Sequence, residues 1–457
     1  MRVLLVSANR EDFPDPVYPL GISLVAAAVE RAGHAVRLLD LRWDAGELAT
    51  SVEAWRPDVV GLGIRNVDNL TWGRSVSYLP EIEAAVAELR TAFQGPLILG
   101  GSGYSLFPAA LLRRLGADWG VVGEGEEAFP SLLDTLSRGA DLAPVPGVVC
   151  RETGDRPATP RATAPLMRHP LRQDLLAHYL PTGAAVGVQA KRGCAFACTY
   201  CTYPALEGRT LRLREPDDVV DEVEELAGAG ARSVFFVDDT FNIPADHAEG
   251  ICRRLVERGV RVSWSAFVHP GRLAPELAEW MRRSGCAGLE FGTDSLSDPV
   301  LEALQKGFTA AEVTASAAAA AGAGIPAAHY LLLGSPGETP ATLAQTLEAG
   351  DRLPPAAFIA LVGVRLYPGT ELVARARAEG LCGGDDSLLE PTFYLSPGMS
   401  AGEVARAVGR HARSRRAWVV PGLGIRSDPA VLDRLRRTQR SPTWAALLVT
   451  RSADEGG

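Results

Sequence analysis

Short β-branched runs alternating with longer alanine- and leucine-rich stretches, in two separate series, constrain the fold of this chain more than any other feature. The first series occupies residues 1–140 and reads "RVLLVS", "ISLVAAAVERAG", "AVRLLDL", "DVVGLGI", "EIEAAVAELRTAF", "PLILGG" and "DWGVVGEGE". Strand-length apolar runs separated by helix-period segments predict a doubly wound parallel sheet with helices on both faces. Such sheets bind ligands outside the carboxyl ends of their strands. Those ends fall at Ser7, at residues 63–69, at Gly100, Gly101, Ser102 and Gly103, and at Gly123, Glu124, Gly125 and Glu126.

Residues 141–183 are rich in proline, which breaks helices and favours an extended connector, here with one hairpin expected around "VVCRETGDRPA". The second series fills residues 184–390: "AAVGVQA", "SVFFVDD", "VSWSAFV", "GLEFGTD", "PAAHYLLLG" and "FIALVGVRLYP", with helical stretches between them. Six strand–helix units are too few for a closed eight-unit barrel, so a partial (β/α)6 barrel is expected, with its site at the carboxyl ends of the strands. Residues 391–457 read as a small, mostly helical segment whose arginine run suits a solvated helix face.

Composition narrows the function classes. At 457 residues the chain accommodates two or three domains. A net charge of −9 argues against a nucleic-acid partner held through phosphates and favours a small-molecule substrate. The apolar run at the N-terminus is too short for a signal peptide or a membrane span, so no membrane span and a cytoplasmic location are expected. Seven cysteines, three of them crowded into "KRGCAFACTYC", suit a reducing compartment and a metal site better than a disulfide framework.

Cys194, Cys198 and Cys201 follow the first strand of the second series, at the expected rim of the barrel. Three thiolates can hold three irons of a 4Fe-4S cluster and leave the fourth iron open. Structural zinc is the main competitor, but it is closed by four protein ligands, usually as two separated pairs, and no second pair is present. Cys150, Cys252, Cys286 and Cys382 are isolated and read as small buried hydrophobes.

The C-x3-C-x2-C pattern with Tyr200 before its last cysteine resembles the signature of radical S-adenosylmethionine enzymes. "FVDDTFN", "EFGTDSLSDPVLEALQKG", "LLLGSPGET" and "LYPGTEL" are similar to the successive strand-end elements of that family's barrel. With the N-terminal sheet included, the chain resembles the cobalamin-binding subgroup over residues 1–390. The resemblance implies that Cys194, Cys198 and Cys201 ligate the cluster and that S-adenosyl-L-methionine chelates the open iron. One electron from an external flavodoxin- or ferredoxin-like reductant would then release a 5′-deoxyadenosyl radical. It places Tyr200, Asp238, Asp239, Glu290, Asp294, Ser295 and Gly334 around S-adenosylmethionine. Asp294–Ser295 stands where the subgroup more often has Glu-Ser. Plain alternatives stay open: a helix-capping strand end at "VDDTFN", a turn and helix start at "SPGET", and a structural carboxylate at Glu290.

For the N-terminal unit, the resemblance implies a Rossmann-like cobalamin-binding domain with contacts from Ser7, Leu20, Gly21, Asn66, Asp68, Asn69, Gly100, Gly101, Ser102, Gly103, Gly123, Glu124, Gly125 and Glu126. A dinucleotide site is disfavoured because no G-x-G-x-x-G follows the first strand. The loop "SANREDFPDP" carries no histidine, so cobalt should lack a histidine ligand from that loop. Asn66, Asp68 and Asn69 lie in a polar strand-end loop that is equally readable as a self-capped turn. The implied activity is cobalamin-dependent radical methylation of an unactivated carbon. Cyclisation, oxidation or rearrangement with the same cofactors, and a non-catalytic cobalamin- or metal-binding module, remain as rivals.

Overall fold

The computed structural model describes residues 1–12, 14–139, 145–151, 165–383, 387–427, 430 and 442–448. The first series folds into a six-stranded sheet of β1 (Arg2–Ser7), β2 (Ala35–Asp40), β3 (Val59–Gly63), β4 (Leu97–Gly100), β5 (Trp119–Val121) and β6 (Val148–Cys150), ordered β2-β1-β3-β4-β5-β6. The first five strands are parallel, as the alternating pattern predicts, and β6 pairs antiparallel with β5. The sheet therefore reaches past residue 140, and "VVC" of the connector is its edge strand. The second arm of the expected hairpin lies outside the described residues. Chain order reverses between β2 and β3 on either side of β1, so the loops after β1 and β3 flank the topological switch point where doubly wound sheets bind ligands.

The second series forms a seven-stranded parallel sheet: β7 (Val186–Val188), β10 (Ser233–Phe236), β11 (Ser263–Val268), β12 (Cys286–Asp294), β13 (Ala327–Leu333), β14 (Ala357–Val362) and β17 (Trp418–Val419). Six strands are those expected. The seventh, β17, comes from the C-terminal segment, whose helix Ala401–Arg413 begins with a Ser400–Glu403 capping box. Two antiparallel ribbons complete the sheets, β8 (Lys191–Arg192) with β9 (Arg212–Leu213), and β15 (Val364–Arg365) with β16 (Phe393–Tyr394).

The C-terminal segment also enters the barrel. Its 3-10 turn Thr443–Leu448 packs on Ala328 and Ala357 of β13 and β14. A Cβ at Gly288 would come within 3.0 Å of both Pro442 and Trp444, so glycine makes room for this insertion. Among the described residues, no helix is long and apolar enough to cross a membrane.

Candidate active site

The three clustered cysteines sit in the loop that closes the β8–β9 ribbon, directly after the barrel's first strand. Gly193 enters the loop at φ +95°, and a Cβ there would stand 2.2 Å from the Thr210 carbonyl, so only glycine lets the two arms close. Backbone bonds from Cys194 N to Gly208 O (3.0 Å) and from Thr199 N to Leu304 O (3.1 Å) pin the loop to its own base and to the barrel. No disulfide joins any of the seven cysteines, all of which lie among the described residues. Burial pushes the Cys194 thiol up to about 12 and the Cys201 thiol up to about 11. A metal bound by these thiols would have to displace their protons.

Among the described residues, no three His, Cys, Asp or Glu side chains already converge on a single-ion site. A cubane needs its thiols spread over separate corners, and three free thiols on one loop suit that geometry.

Two carboxylates at the end of β10 face the loop base. Asp238 Oδ1 accepts from Ala190 N (2.8 Å) and Lys191 N (3.1 Å), while burial raises its carboxyl to about 7. Asp239 Oδ1 accepts from the fully buried Lys191 Nζ at 2.5 Å. The Oδ2 atoms of both aspartates are buried without a protein partner. Orphaned acceptors at such depth are costly unless a ligand or water completes them, so these residues fit a zwitterionic ligand beside the thiols. A second polar chain ends at β12. Lys306 Nζ lies 2.6 Å from Asp294 Oδ2 and donates to Tyr200 Oη (3.2 Å), and Tyr200 in turn donates to Asp294 Oδ2 (2.6 Å). Asp294 adopts φ +59°, a left-handed conformation uncommon outside glycine and often found at functional turns.

Several of the expected ligand residues have protein partners. Glu290 lies inside the barrel, well before the end of β12. Its two oxygens accept from Trp444 Nε1 (3.0 Å) and Tyr330 Oη (2.9 Å), which makes it an internal anchor for the C-terminal turn. Ser295 is buried, and its hydroxyl pairs with Thr346 Oγ1 (2.9 Å) in the helix Pro340–Arg352. Gly334 has φ +92°, but Leu395 already fills the space a side chain would take, so close packing accounts for this glycine.

In the N-terminal unit, Asp68 Oδ2 accepts from Arg365 Nε (2.9 Å) on the β15–β16 ribbon, in a buried pair. Asn69 Oδ1 accepts from Thr71 N and Val76 N, and its amide donates to Arg74 O, so the self-capped turn is realised. Ser7 is buried within hydrogen-bonding reach of Asp40. Leu20 packs against Gly187 of β7. Gly101 and Gly103 are demanded by the Ile64 and Arg65 carbonyls, at 2.5 and 2.9 Å from a built Cβ, and Gly125 by Val25 at 2.9 Å. Gly123, at φ +78°, donates its N–H to Ser105 Oγ. Glu124 and Glu126 are ion-paired with Arg192 and Arg212 of the cysteine ribbon. What stays open at the switch point is Gly21, with no atom within 4 Å of a built Cβ, Gly100, whose nearest neighbour is at 4.0 Å, and the exposed Asn66 and Ser102. That rim has room and polar groups for a large planar cofactor. Asn9, on the histidine-free loop, holds it in place by accepting from Arg65 N (2.6 Å) and Asn66 N (3.2 Å).

Sequence reasoning missed Lys191 and Lys306. The available signal was a lone lysine beside each motif, in "AKRGC" and "LQKG", because lysine is almost never buried unless paired.

Comparison with known proteins gives two domain matches: the B12 binding domain over residues 7–133 and the radical SAM superfamily over 188–350. An uncharacterized methyltransferase of Pyrococcus horikoshii is 29% identical over 402 residues, 83% of this chain and 84% of that protein. Tryptophan 2-C-methyltransferase of Streptomyces laurentii is 25% identical over 366 residues, 66% of this chain and 61% of that protein. Among solved structures, the radical S-adenosylmethionine methyltransferase TsrM of Kitasatospora setae, with cobalamin and a [4Fe-4S] cluster bound, superposes with a TM-score of 0.84. It is 23% identical, and the match covers 98% of this chain and 97% of that one.

Proposed function

This chain is a cobalamin-binding radical S-adenosylmethionine protein, and from that premise we propose that it methylates an unactivated carbon of a small-molecule substrate. The observation that carries the reading is the direct junction of the cysteine ribbon with the strand-end rim of the N-terminal sheet, which brings the two candidate cofactor surfaces together. Relatives that are named methyltransferases support it.

Cys194, Cys198 and Cys201 hold the cluster. When bound, cluster and S-adenosylmethionine supply a 5′-deoxyadenosyl radical, and cobalamin carries the methyl group. Asp238 and Asp239, each with an unpartnered oxygen, take the ammonium end of S-adenosylmethionine, and Lys191 holds the Asp239 carboxylate in place. Tyr200, Asp294 and Lys306 form a closed, charge-balanced chain that holds the cysteine loop against the end of β12. Asn66, Ser102, Gly21 and Gly100 border the corrin. Residues 1–150 act as the cobalamin unit and 184–427 as the radical unit. An external one-electron reductant is required, no nucleic acid takes part, and seven cysteines without a disulfide suit the reducing cytoplasm.

Anaerobically reconstituted protein, supplied with methyl-labelled S-adenosylmethionine, reductant and candidate substrates, should form labelled product and S-adenosylhomocysteine. 5′-Deoxyadenosine without methyl incorporation would replace methylation with cyclisation, oxidation or rearrangement. Bound cobalamin with no consumption of S-adenosylmethionine would leave a binding module.

A further inference from the structure

The base of the cysteine loop is bolted to the N-terminal domain by four charged side chains. Arg192 and Arg212 are register partners on β8 and β9, at the two points where the loop leaves the ribbon. Arg192 reaches Glu124 (2.9 Å) and Glu126 (2.5 Å), and its Nε donates to Gln189 Oε1 (2.7 Å). Arg212 makes a two-pronged contact with the same Glu124. All four side chains are at most 15% exposed, and two positive charges face two negative ones. Both glutamates come from one short span, at the start of the helix Gly125–Ser137 that follows β5. Bidentate arginine–carboxylate pairs fix orientation as well as distance, and at this burial salt screens them little.

We infer that Arg192 and Arg212 are positioning residues, which clamp the cysteine loop to Glu124 and Glu126 and thereby set the geometry between the cluster loop and the cobalamin-side rim. Within the two domains, each site could be built without the clamp: the loop has its own backbone ties to Gly208 and Leu304, and the rim has its own through Asn9. What the clamp adds is a fixed relation between the two. This inference rests on reading the ribbon as the cluster loop and the sheet rim as the cobalamin surface.

The test begins with cofactor-free protein, in which iodoacetamide alkylation of each cysteine is followed by mass spectrometry. In the double variant Glu124→Gln with Glu126→Gln, alkylation of Cys198 and Cys201 should speed up about tenfold, as a local opening that leaves the core closed. Alkylation of the fully buried Cys252 should not change, which separates a freed loop from a melted domain. The swap Glu124→Arg with Arg212→Glu should slow alkylation again relative to either single change. Glu390→Ala, which breaks the exposed pair to Arg114 (2.8 Å), should match wild type. After reconstitution, the double variant should keep its iron and its cobalamin but transfer methyl from labelled S-adenosylmethionine to reduced cobalamin at least about tenfold more slowly. Alkylation of Cys198 at the wild-type rate, alkylation rising in step with Cys252, or an equal rise in Glu390→Ala would each overturn the clamp. A wild-type protein that forms no S-adenosylhomocysteine would defeat the methylation reading and leave the alkylation result standing.

Discussion

Replacing Asp68 with asparagine separates a structural carboxylate from a cofactor contact. The Asp68–Arg365 pair is buried on both sides, with side chains 0% and 4% exposed. The guanidinium also donates to the carbonyls of Leu366 (2.6 Å) and Leu388 (2.8 Å). Asp68→Asn removes the only acidic partner recorded for Arg365 among the described residues and strands a cation between the two sheets. Breaking a buried pair from one side costs about 3–5 kcal/mol, and the remaining carbonyl acceptors place this case near the lower end. At about 2–4 °C per kcal/mol for a unit of this size, melting should fall by about 6–12 °C. Thermal melting read alongside an absorbance titration of cobalamin is the assay. The expected outcome is a large fall in melting temperature with unchanged cobalamin affinity per folded molecule. Joint replacement, Asp68→Asn with Arg365→Met, should recover part of the loss because no charge is left stranded. A variant that melts like wild type but binds cobalamin about tenfold more weakly would refute the reasoning and return Asp68 to the corrin surface.

Three other expectations can be checked with single variants. Gly193→Ala forces a Cβ onto the Thr210 carbonyl at 2.2 Å, so the reconstituted protein should lose at least about half its iron with its global melt little changed. His329 stacks between Phe291 and Phe358, and burial holds its imidazole down at about 3, below the unfolded value near 6.5. The unfolded chain therefore takes the proton first. The stability from His329 is whole above pH 6.5 and declines toward pH 3, so between pH 7 and pH 5 wild type should lose about 2 kcal/mol more than His329→Phe in urea unfolding. An equal loss in both would reject the neutral buried histidine. Trp444→Phe removes one of the two donors to Glu290 and should cost about 1–3 kcal/mol, a loss that Glu290→Gln in the same chain should partly absorb in a double-mutant cycle.

The cysteine loop and both sheets were legible in the sequence because their signals are local. A three-thiol spacing and an alternation of strand- and helix-length runs are each written within a few dozen residues. The sequence likewise placed the strand ends, and with them the carboxylates Asp238, Asp239 and Asp294 beside the cysteines. It could not say what each strand-end side chain would face. Asp68 faces Arg365, Glu124 and Glu126 face Arg192 and Arg212, and Glu290 faces Trp444. These partners lie 66 to 297 positions apart. The connection is absent from local pattern because a buried charge is satisfied by whatever donor the packing of two domains delivers, and that donor can come from anywhere in the chain. The residue types at the rim were thus set by sequence, while tertiary structure decided which remain open to a cofactor and which are spent holding the two halves together.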